Sequence, residues 1–467
     1  MGFRVEKDHL GQCDIDEDKY YGINTKRAMD NFCLNSVSVN IKLIKEIALI
    51  KKAAALVNGK LNRMSTQKTQ AIVNACDEVI KGKFDSEFTI SAFQGGAGTS
   101  TNMNVNEVVS NRASELLGDI KGTYETVHPL NDVNMSQSTN DVYPTAVRIA
   151  AIRLIRQLSS SLAELQQSLQ TKENEFSSII KLGRTELMDA LPMMVGQSFG
   201  AYAKCIERDR WRIYKVEERL RQINLGGTAI GTGINASQKY IFMITETIQA
   251  LTGLGLARSD YPMDITQNTD AFVEVSGLLK ACSTNLIKIS NDLRLLASGP
   301  EGGIGELELP KVQSGSTIMP GKVNPVIAEM TAQVAMRVMA NDYAITMACS
   351  SGQLELNAFM PLIAEALLES LQLLNDAVTI FNEKCIKGIK VNIEKCNENL
   401  EKSAVLATAL VHYIGYDKAG DIAQRALEKH KSIKEIVLEE GILNKEEVER
   451  ILNPYQVTKP GIPGKPL

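Results

Sequence analysis

The sequence predicts an all-α protein whose middle part is a bundle of long helices, and three observations support this class. Aromatic residues make up only 5% of the 467 residues, which leaves a core of Leu, Ile, Val, Ala and Met and favours helices over sheets. Apolar residues recur every three or four positions over long segments. These segments are far longer than the roughly 4–8 residues of a typical strand.

Helical periodicity covers most of the chain. The predicted segments are 40–81, 104–117, 145–171, 196–222, 268–298, 325–348 and 362–381. In the first segment, Lys51 shares an apolar face with Ile44 and Ile47. Pro144 precedes the third segment, and its fixed φ and missing N–H suit the first position of a helix. Residues 1 to about 35 show no such pattern and are predicted to be irregular.

Breaks near residues 140 and 393 predict three domains. These are an N-terminal domain (1–140), a central helical-bundle domain (141–393) and a small C-terminal domain (394–467) rich in Lys and Glu. The helix predicted for 145–171 is on the order of 40 Å long at 1.5 Å per residue. Polar loops at its two ends, near Ser138 and Arg184, therefore cannot meet in one site within a single chain. If both loops are functional, loops of several chains must combine, so an oligomer is predicted.

Composition excludes several functional classes. The 51 basic and 55 acidic residues are interspersed and give a net charge of −4, without the basic patch of a nucleic-acid-binding protein. Eight scattered cysteines and four histidines show no metal-ligand spacing, so we predict reduced core thiols and no metal site. The first six residues include the charged Arg4 and Glu6 and no apolar segment, and no run of about 18 apolar residues occurs. We therefore expect a cytoplasmic protein that binds neither membranes nor nucleic acid.

One polar loop, 314–325, has the equipment to hold a carboxylate. Gly315 and its neighbouring serines let backbone N–H groups face a ligand, while Lys322 and Asn324 add a cation and an amide. A phosphate-binding loop needs four residues between its glycines and Ser or Thr after its lysine. Here five residues separate Gly315 from Gly321, and Val323 follows Lys322, so we reject nucleotide binding. A flexible surface loop is the structural alternative.

Three further loops carry hydroxyl and amide groups near helix starts. They are 94–104, 136–141 and 183–190, and their candidate residues are Thr99, Ser138, Thr139, Asn140, Thr185 and Glu186. The structural alternative for the first two loops is a helix cap, with Asn140 or Asp141 as the capping residue in the second loop. The structural alternative for the third loop is an ion pair between Arg184 and Asp189. The functional alternative is an anion site, in which hydroxyls and N–H groups bind a carboxylate near a positive helix end.

In their order and spacing, the four loops resemble the conserved blocks of the fumarase/aspartase superfamily, and 316–324 is similar to its signature loop. The resemblance extends from residues 4–8 to 453–461. It implies a three-domain all-α fold, a homotetramer with active sites shared between subunits, and elimination across the Cα–Cβ bond of a succinyl-type substrate. Block 96–104 resembles the ammonia-lyase branch, which implies reversible deamination of L-aspartate to fumarate and ammonia. A fumarase and a same-fold lyase that expels another amine are the alternatives.

The resemblance also implies a role for each candidate residue. Ser316 is the general base that removes the β-proton, which leaves a doubly charged aci-carboxylate. The substrate-binding residues are Thr99, Ser138, Thr139 and Thr317 at the β-carboxylate, Thr185, Lys322 and Asn324 at the α-carboxylate, and Asn140 and Glu186 near the departing amine. No organic cofactor is implied, and Mg²⁺ activation is not readable from the sequence.

The chain departs from the family pattern at three places. Glu186 stands where relatives have His or Gln, and the family's partner for that position corresponds to Glu329. Two facing carboxylates repel unless a cation intervenes, so we hypothesise that Glu186 pairs with the ammonium group of the substrate. The segment 130–132 differs next to His128, which puts the family's secondary anion site in doubt. Thr317 replaces the usual serine and retains the hydroxyl.

Overall fold

The computed structural model describes residues 2–34 and 37–465 of the chain. Helices dominate these residues, and the strands form only four two-stranded sheets, so the predicted all-α class is confirmed. The helices are α1 (Ile23–Asn31), α2 (Ile41–Lys60), α3 (Thr66–Ile80), α4 (Thr99–Leu116), α5 (Thr139–Glu175), α6 (Val195–Leu220), α7 (Gln238–Thr252), α8 (Pro262–Gln267), α9 (Asp270–Leu296), α10 (Val326–Ser350), α11 (Met360–Lys384), α12 (Ile393–Glu401), α13 (Val411–Ile414), α14 (Tyr416–Lys429), α15 (Ile433–Glu439), α16 (Lys445–Ile451) and α17 (Pro454–Val457). The strands are β1 (Phe3–Asp8), β2 (Gly11–Asp16), β3 (Ile180–Thr185), β4 (Met188–Met194), β5 (Gln222–Ile223), β6 (Ala257–Arg258), β7 (Leu307–Glu308) and β8 (Lys390–Val391).

The described residues divide into two compact units, each built from three stretches of chain. The first unit comprises Met1–Ser159, Trp211–Ala281 and Met336–Asn375, and the second comprises Ser160–Arg210, Cys282–Ala335 and Asp376–Leu467. All five boundaries fall inside α5, α6, α9, α10 and α11, the five longest helices. The division into 1–140, 141–393 and 394–467 stays a prediction.

The predicted helical segments correspond to helices, and two differences at their ends have identifiable causes. The segment 40–81 is two helices, because Asn62 takes a left-handed φ of 55° and the Ser65 side chain then caps α3 by accepting the Lys68 N–H. Helix α5 starts at Thr139, five residues before Pro144, and its 37 residues correspond to about 55 Å. Pro144 is tolerated because Asn224 Nδ2 donates to the carbonyl of Asn140, which proline leaves without a helical donor.

The prediction of an irregular segment over residues 1–35 is wrong. Strands β1 and β2 form an antiparallel hairpin, and α1 follows. The pattern was missed because the inner face of β1 carries a charged pair rather than apolar side chains. The Arg4 guanidinium donates to Glu6, and Glu6 is almost fully buried. The carboxylate of Glu107, on α4, then accepts the N–H groups of Gly22, Asn24 and Thr25 at the start of α1.

In the second unit, β3 and β4 form a hairpin against which α12 packs. The hairpin contains a bulge at Gly183, where a Cβ atom would lie 2.5 Å from the carbonyl oxygen of Leu191. The C-terminal helices enclose a separate apolar cluster that includes Leu410, Ile422 and Ile436. No helix in the described part of the chain combines the length and apolar character needed to cross a membrane.

Candidate active site

Four of the predicted site residues line one cavity in the first unit. Thr99, Ser138, Thr139 and Asn140 surround a volume of about 510 Å³, together with residues of the glycine-rich segment 226–235. The start of α4 supplies Thr99, and the start of α5 supplies the other three. The cavity is therefore bounded by hydroxyls and an amide at two helix N-termini, where the partial positive charge of a helix favours an anion.

The start of α5 is fixed by a reciprocal cap. Ser138 Oγ accepts the N–H of Asn140, and the Asp141 carboxylate accepts the N–H of Ser138 at 2.9 Å. The cap is thus Ser138, with Asp141 as its partner. Asn140 or Asp141 was the expected cap; of the two, only Asp141 takes part, because the Asn140 side chain bonds to Ala229. Asp141 also accepts the N–H groups of Gly226 and Thr228, which ties the glycine-rich segment to the helix start. The hydroxyl hydrogen of Ser138 stays available for a ligand.

The Asn140 side chain is oriented by the segment across the cavity. Its Nδ2 donates to the carbonyl of Ala229 at 2.7 Å, and no described residue donates to its Oδ1. The amide therefore presents an acceptor, the group that an ammonium ion needs. Thr99 Oγ1 donates to the carbonyl of Gly96 at 2.7 Å, so its hydroxyl must rotate before it can donate to a carboxylate.

Lys51 is a charged residue behind the cavity that sequence reasoning did not assign to the site. Its Nζ donates to Asn134 Oδ1 at 2.8 Å and to Gln137 Oε1 at 3.0 Å, and both acceptor residues line the cavity. Burial lowers the pKa of Lys51 to about 7, against the opposing effect of Asp141. Burial likewise raises the pKa of Asp141 to about 6, despite its three N–H bonds. The signal in the sequence was a lysine on the apolar face of α2.

The other predicted residues belong to the second unit. The loop before α10 carries Ser316, Thr317, Lys322 and Asn324, and it folds back on itself. Gly315 N donates to the Lys322 carbonyl at 2.8 Å, and Asn324 Nδ2 donates to the Gly315 carbonyl at 2.7 Å. A Cβ atom at position 315 would lie 2.7 Å from the Lys322 carbonyl oxygen, so this closure needs glycine.

Ser316 is held in a hydrogen-bonded turn inside this loop. Its Oγ accepts the N–H groups of Ile318 and Met319, at 3.2 and 2.9 Å. Two donors aimed at one hydroxyl oxygen stabilise negative charge on that oxygen. Ile318 at the tip of the loop is 84% exposed, so the loop presents an apolar side chain beside its polar groups.

Thr185 and Glu186 lie at the turn of the β3–β4 hairpin. Thr185 pairs with Met188, so Glu186 and Leu187 form a two-residue turn, and both take left-handed φ angles of 54° and 67°. Such angles are unfavourable for residues other than Gly, Asn and Asp, and they occur most often at functional sites. Leu187 and Met188 are 69% and 68% exposed. Among the described residues, Thr185 and Glu186 do not line the cavity at Thr99. They are also absent from a second cavity of about 430 Å³, which the loop before α10 forms with Ser316 and Lys322 in its lining.

Glu329, the residue that the family pattern places opposite position 186, has a cationic neighbour in its own unit. A guanidinium nitrogen of Arg294 lies 3.7 Å from its carboxylate. A cation at this position reduces the repulsion that a second carboxylate would meet. Among the described residues, no three His, Cys, Asp or Glu side chains are placed to hold a metal ion.

The helical fold and these polar loops form a frame in which hydroxyls, amides and a lysine are available to bind a small anion. A family model described as lyase matches residues 11–340, and one described as fumarase C C-terminus matches 406–459. The chain therefore belongs to the lyase family of the fumarase/aspartase superfamily, and the resemblance in sequence is confirmed.

Relatives of known name match the whole chain. The aspartate ammonia-lyase of Bacillus subtilis (strain 168) is 46% identical over 465 residues, which cover 100% of this chain and 98% of that protein. The aspartate ammonia-lyase of Pseudomonas fluorescens is 47% identical over 461 residues, or 98% of this chain and 96% of that one. These relatives agree with the prediction of a carbon–nitrogen lyase.

Two solved structures have the same fold over nearly the full length. The fumarate lyase:delta crystallin of Brucella melitensis bound to cobalt has a TM-score of 0.94 and 46% identity, covering 98% of this chain and 100% of that one. The class II fumarase of Schistosoma mansoni also has a TM-score of 0.94 over the same shares of both chains, with 37% identity. The chain therefore shares its fold with a fumarase, but its sequence identity to that fumarase is lower than to the two aspartate ammonia-lyases.

Proposed function

We propose that the protein catalyses the reversible deamination of L-aspartate to fumarate and ammonia. The observation that carries this proposal is the match of the whole chain, at 46% identity, to the aspartate ammonia-lyase of Bacillus subtilis (strain 168). The fumarase of Schistosoma mansoni shares the fold at only 37% identity. Fold alone hosts several activities, so the choice between an amine and a hydroxyl leaving group rests on the site.

Two side chains support an amine leaving group. Asn140 has its Nδ2 bound to the Ala229 carbonyl, and no described residue donates to its Oδ1, which leaves this oxygen as an acceptor at the cavity. Glu186 adds a carboxylate where the family has His or Gln. An acceptor and a carboxylate both favour an ammonium ion over the neutral hydroxyl of malate.

Ser316 is the proposed base that takes the β-proton of the substrate. A serine hydroxyl is a weak base at neutral pH, so the enzyme must stabilise the alkoxide. The N–H groups of Ile318 and Met319, both within 3.2 Å of Ser316 Oγ, supply that stabilisation. Ser316 takes the β-proton in its alkoxide form and becomes a neutral hydroxyl, and the electron pair of the broken C–H bond passes into the β-carboxylate.

The charge that develops on the β-carboxylate is received by hydroxyl donors, which we assign to Thr99, Ser138, Thr139 and Thr317. Donors that tighten as charge develops stabilise the intermediate more than the substrate, and this difference accelerates the reaction. Thr185, Lys322 and Asn324 hold the α-carboxylate, whose charge does not change. Expulsion of the amine from Cα completes the double bond of fumarate, and none of these steps requires an organic cofactor.

The proposal includes a homotetramer in which several chains build each site. Helix α5 alone corresponds to about 55 Å, with Ser138 at its beginning and the Thr185 hairpin after its end. The hairpin turn and the Ser316 loop expose Leu187 and Ile318, as expected for segments that contact another chain. We also propose that the protein is located in the cytoplasm and that its partner there is a small-molecule substrate.

A substrate panel tests the proposed reaction. The purified protein is incubated with L-aspartate, L-malate and a series of other amino acids, and fumarate or another unsaturated product is followed by absorbance. Release of fumarate and ammonia from L-aspartate in equal amounts is the expected result. Fumarate from malate alone would identify a fumarase, and turnover of a different amine alone would identify another lyase of the same fold.

A further inference from the structure

The hairpin that carries Thr185 and Glu186 is held at one rung, the residue pair Arg184 and Asp189, directly below its turn. Arg184 on β3 and Asp189 on β4 are opposite each other in the ladder, one pair before Thr185 and Met188. The sequence allowed an ion pair between Arg184 and Asp189. Instead, each of the two side chains has a partner outside the hairpin, so the rung is anchored from both strands.

The anchor on β3 is a buried ion pair. Arg184 donates to both oxygens of Glu306, at 2.7 and 3.0 Å, and Glu306 is only 1% exposed. Asn399 on α12 donates to the same carboxylate at 3.0 Å and so fixes its orientation. A bidentate guanidinium–carboxylate pair is directional as well as strong, so it restricts both the position and the rotation of the Arg184 segment.

The anchor on β4 comes from the residues just after α12. Ser403 Oγ donates to the Asp189 carboxylate at 2.7 Å, and Ser403 is 6% exposed. Ser403 and Asn399 are four residues apart, so one short segment binds β4 directly and reaches β3 through Glu306. Glu186 and Leu187 form a two-residue turn with left-handed φ angles, which is kept in place by the structure around it. The position of the turn therefore depends on the Arg184–Asp189 rung beneath it.

We propose that Glu306, Asn399 and Ser403 are positioning residues that set where Thr185 and Glu186 meet the substrate. Glu306 binds Arg184 on β3, and Ser403 binds Asp189 on β4, so the position of the turn depends on these contacts. The inference rests on the proposed roles of Thr185 at the α-carboxylate and Glu186 at the ammonium group. Loosening the rung therefore weakens substrate binding more than it slows proton removal by Ser316.

The test uses Ser403→Ala and Glu306→Gln in the full-length assembled protein. We expect Ser403→Ala to raise KM for L-aspartate about tenfold, with kcat changed less than about threefold, because losing one hydrogen bond to a charged group lowers the population of the positioned turn by about that factor. Glu306→Gln places an amide against Arg184 and is expected to raise KM further. Ser403→Thr keeps the hydroxyl and should restore KM to within about twofold of the parent.

Two variants with the same chemistry elsewhere are the matched controls. Both control pairs lie in the first unit. Ser276 Oγ donates to the buried carboxylate of Asp342 at 2.6 Å. Arg156 donates two hydrogen bonds to the Glu217 carboxylate, both at 2.8 Å. Ser276→Ala and Glu217→Gln remove comparable bonds without touching the hairpin. Both should lower the unfolding temperature and leave KM within about twofold of the parent.

The rate of amide hydrogen exchange in peptide 180–194 measures how firmly the β3–β4 hairpin is held, without relying on activity. Faster exchange of this peptide in Ser403→Ala and Glu306→Gln, but not in the two controls, is the expected result. Unchanged exchange, or faster exchange with an unchanged KM, would overturn the positioning role. If the parent does not convert L-aspartate, the proposed function fails, and the exchange result still decides whether the anchor exists.

Discussion

Ser316 Oγ lies 2.9 Å from the backbone nitrogen of Met319 and accepts its N–H, while a second N–H arrives from Ile318. The two donors are on the same chain and in the same turn as the hydroxyl. They are therefore in place before any substrate binds, so stabilising the alkoxide requires no rearrangement of the backbone around Ser316.

Ser316→Ala tests the base directly. We expect kcat for L-aspartate to fall about 10²- to 10⁴-fold, the usual effect of removing a general base. Binding of a non-reacting dicarboxylate such as succinate, measured by calorimetry, should change little because the carboxylate-binding groups remain. Ser314→Ala removes an exposed hydroxyl from the same loop and is the control, with activity close to that of the parent. Full activity of Ser316→Ala would remove Ser316 from the mechanism.

Glu186→Gln tests the choice of leaving group. The substitution keeps the size of the side chain and removes its charge, so we expect KM for L-aspartate to rise about tenfold. The affinity for succinate, which lacks an amine, should stay the same or increase. Steady-state kinetics and calorimetry on the same preparation give both numbers. A variant that binds and converts L-aspartate as the parent does would show that Glu186 does not contact the ammonium group.

Lys51 gives the protein a pH-dependent stability. Its folded-state pKa of about 7 is below the value of about 10.4 for an unfolded lysine, so between these values the unfolded chain binds more protons. Stability therefore rises with pH over this window, and Lys51→Met lacks this contribution. We expect the difference in free energy of unfolding to move in favour of the parent by up to about 1.4 kcal/mol per pH unit.

Urea unfolding of the parent and of Lys51→Met, at equal protein concentration and at several pH values between about 7.5 and 9.5, measures this difference. Comparing two proteins cancels the titration of the groups that they share. A difference that stays constant across the range would mean that Lys51 keeps its ordinary pKa in the folded state.

The sequence predicted what depends on local pattern and missed what depends on partners distant in the chain. The long helices followed from apolar spacing, and all ten candidate residues came from polar loops. The start of α5 was misplaced because the compensation for Pro144 is the side chain of Asn224, about 80 residues away. The β1–β2 hairpin was missed because the inward-facing side chains of β1 are the half-buried Arg4 and the buried Glu6 rather than apolar residues.

Lys51 illustrates the same limit within the site. The periodicity placed it on the apolar face of α2, but its acceptors, Asn134 and Gln137, belong to a loop more than 80 residues later. A lysine among apolar residues was the signal, and only the fold identifies its partners. The glycine-rich segment that carries Thr228 and Ala229 was also passed over, although its glycines allow its backbone to approach the start of α5.

Mixing two inactive variants tests whether sites are shared between chains. Ser316→Ala retains Thr185, and Thr185→Ala retains Ser316. If one site takes these two residues from different chains, random reassembly of equal amounts restores both residues in about a quarter of the sites. If one chain supplies both residues, no mixture contains an intact site. The two variants are unfolded together, refolded together and assayed with L-aspartate.

The control is a mixture of separately refolded variants, in which no chains exchange and no activity should appear. Size-exclusion chromatography must show that the hybrids have the same mass as the parent, so that failed assembly is not read as failed complementation. Activity near a quarter of the parent value establishes that the base and a carboxylate-binding hydroxyl reach the same substrate from different chains. Correctly assembled hybrids without activity would place Ser316 and Thr185 of each site on one chain.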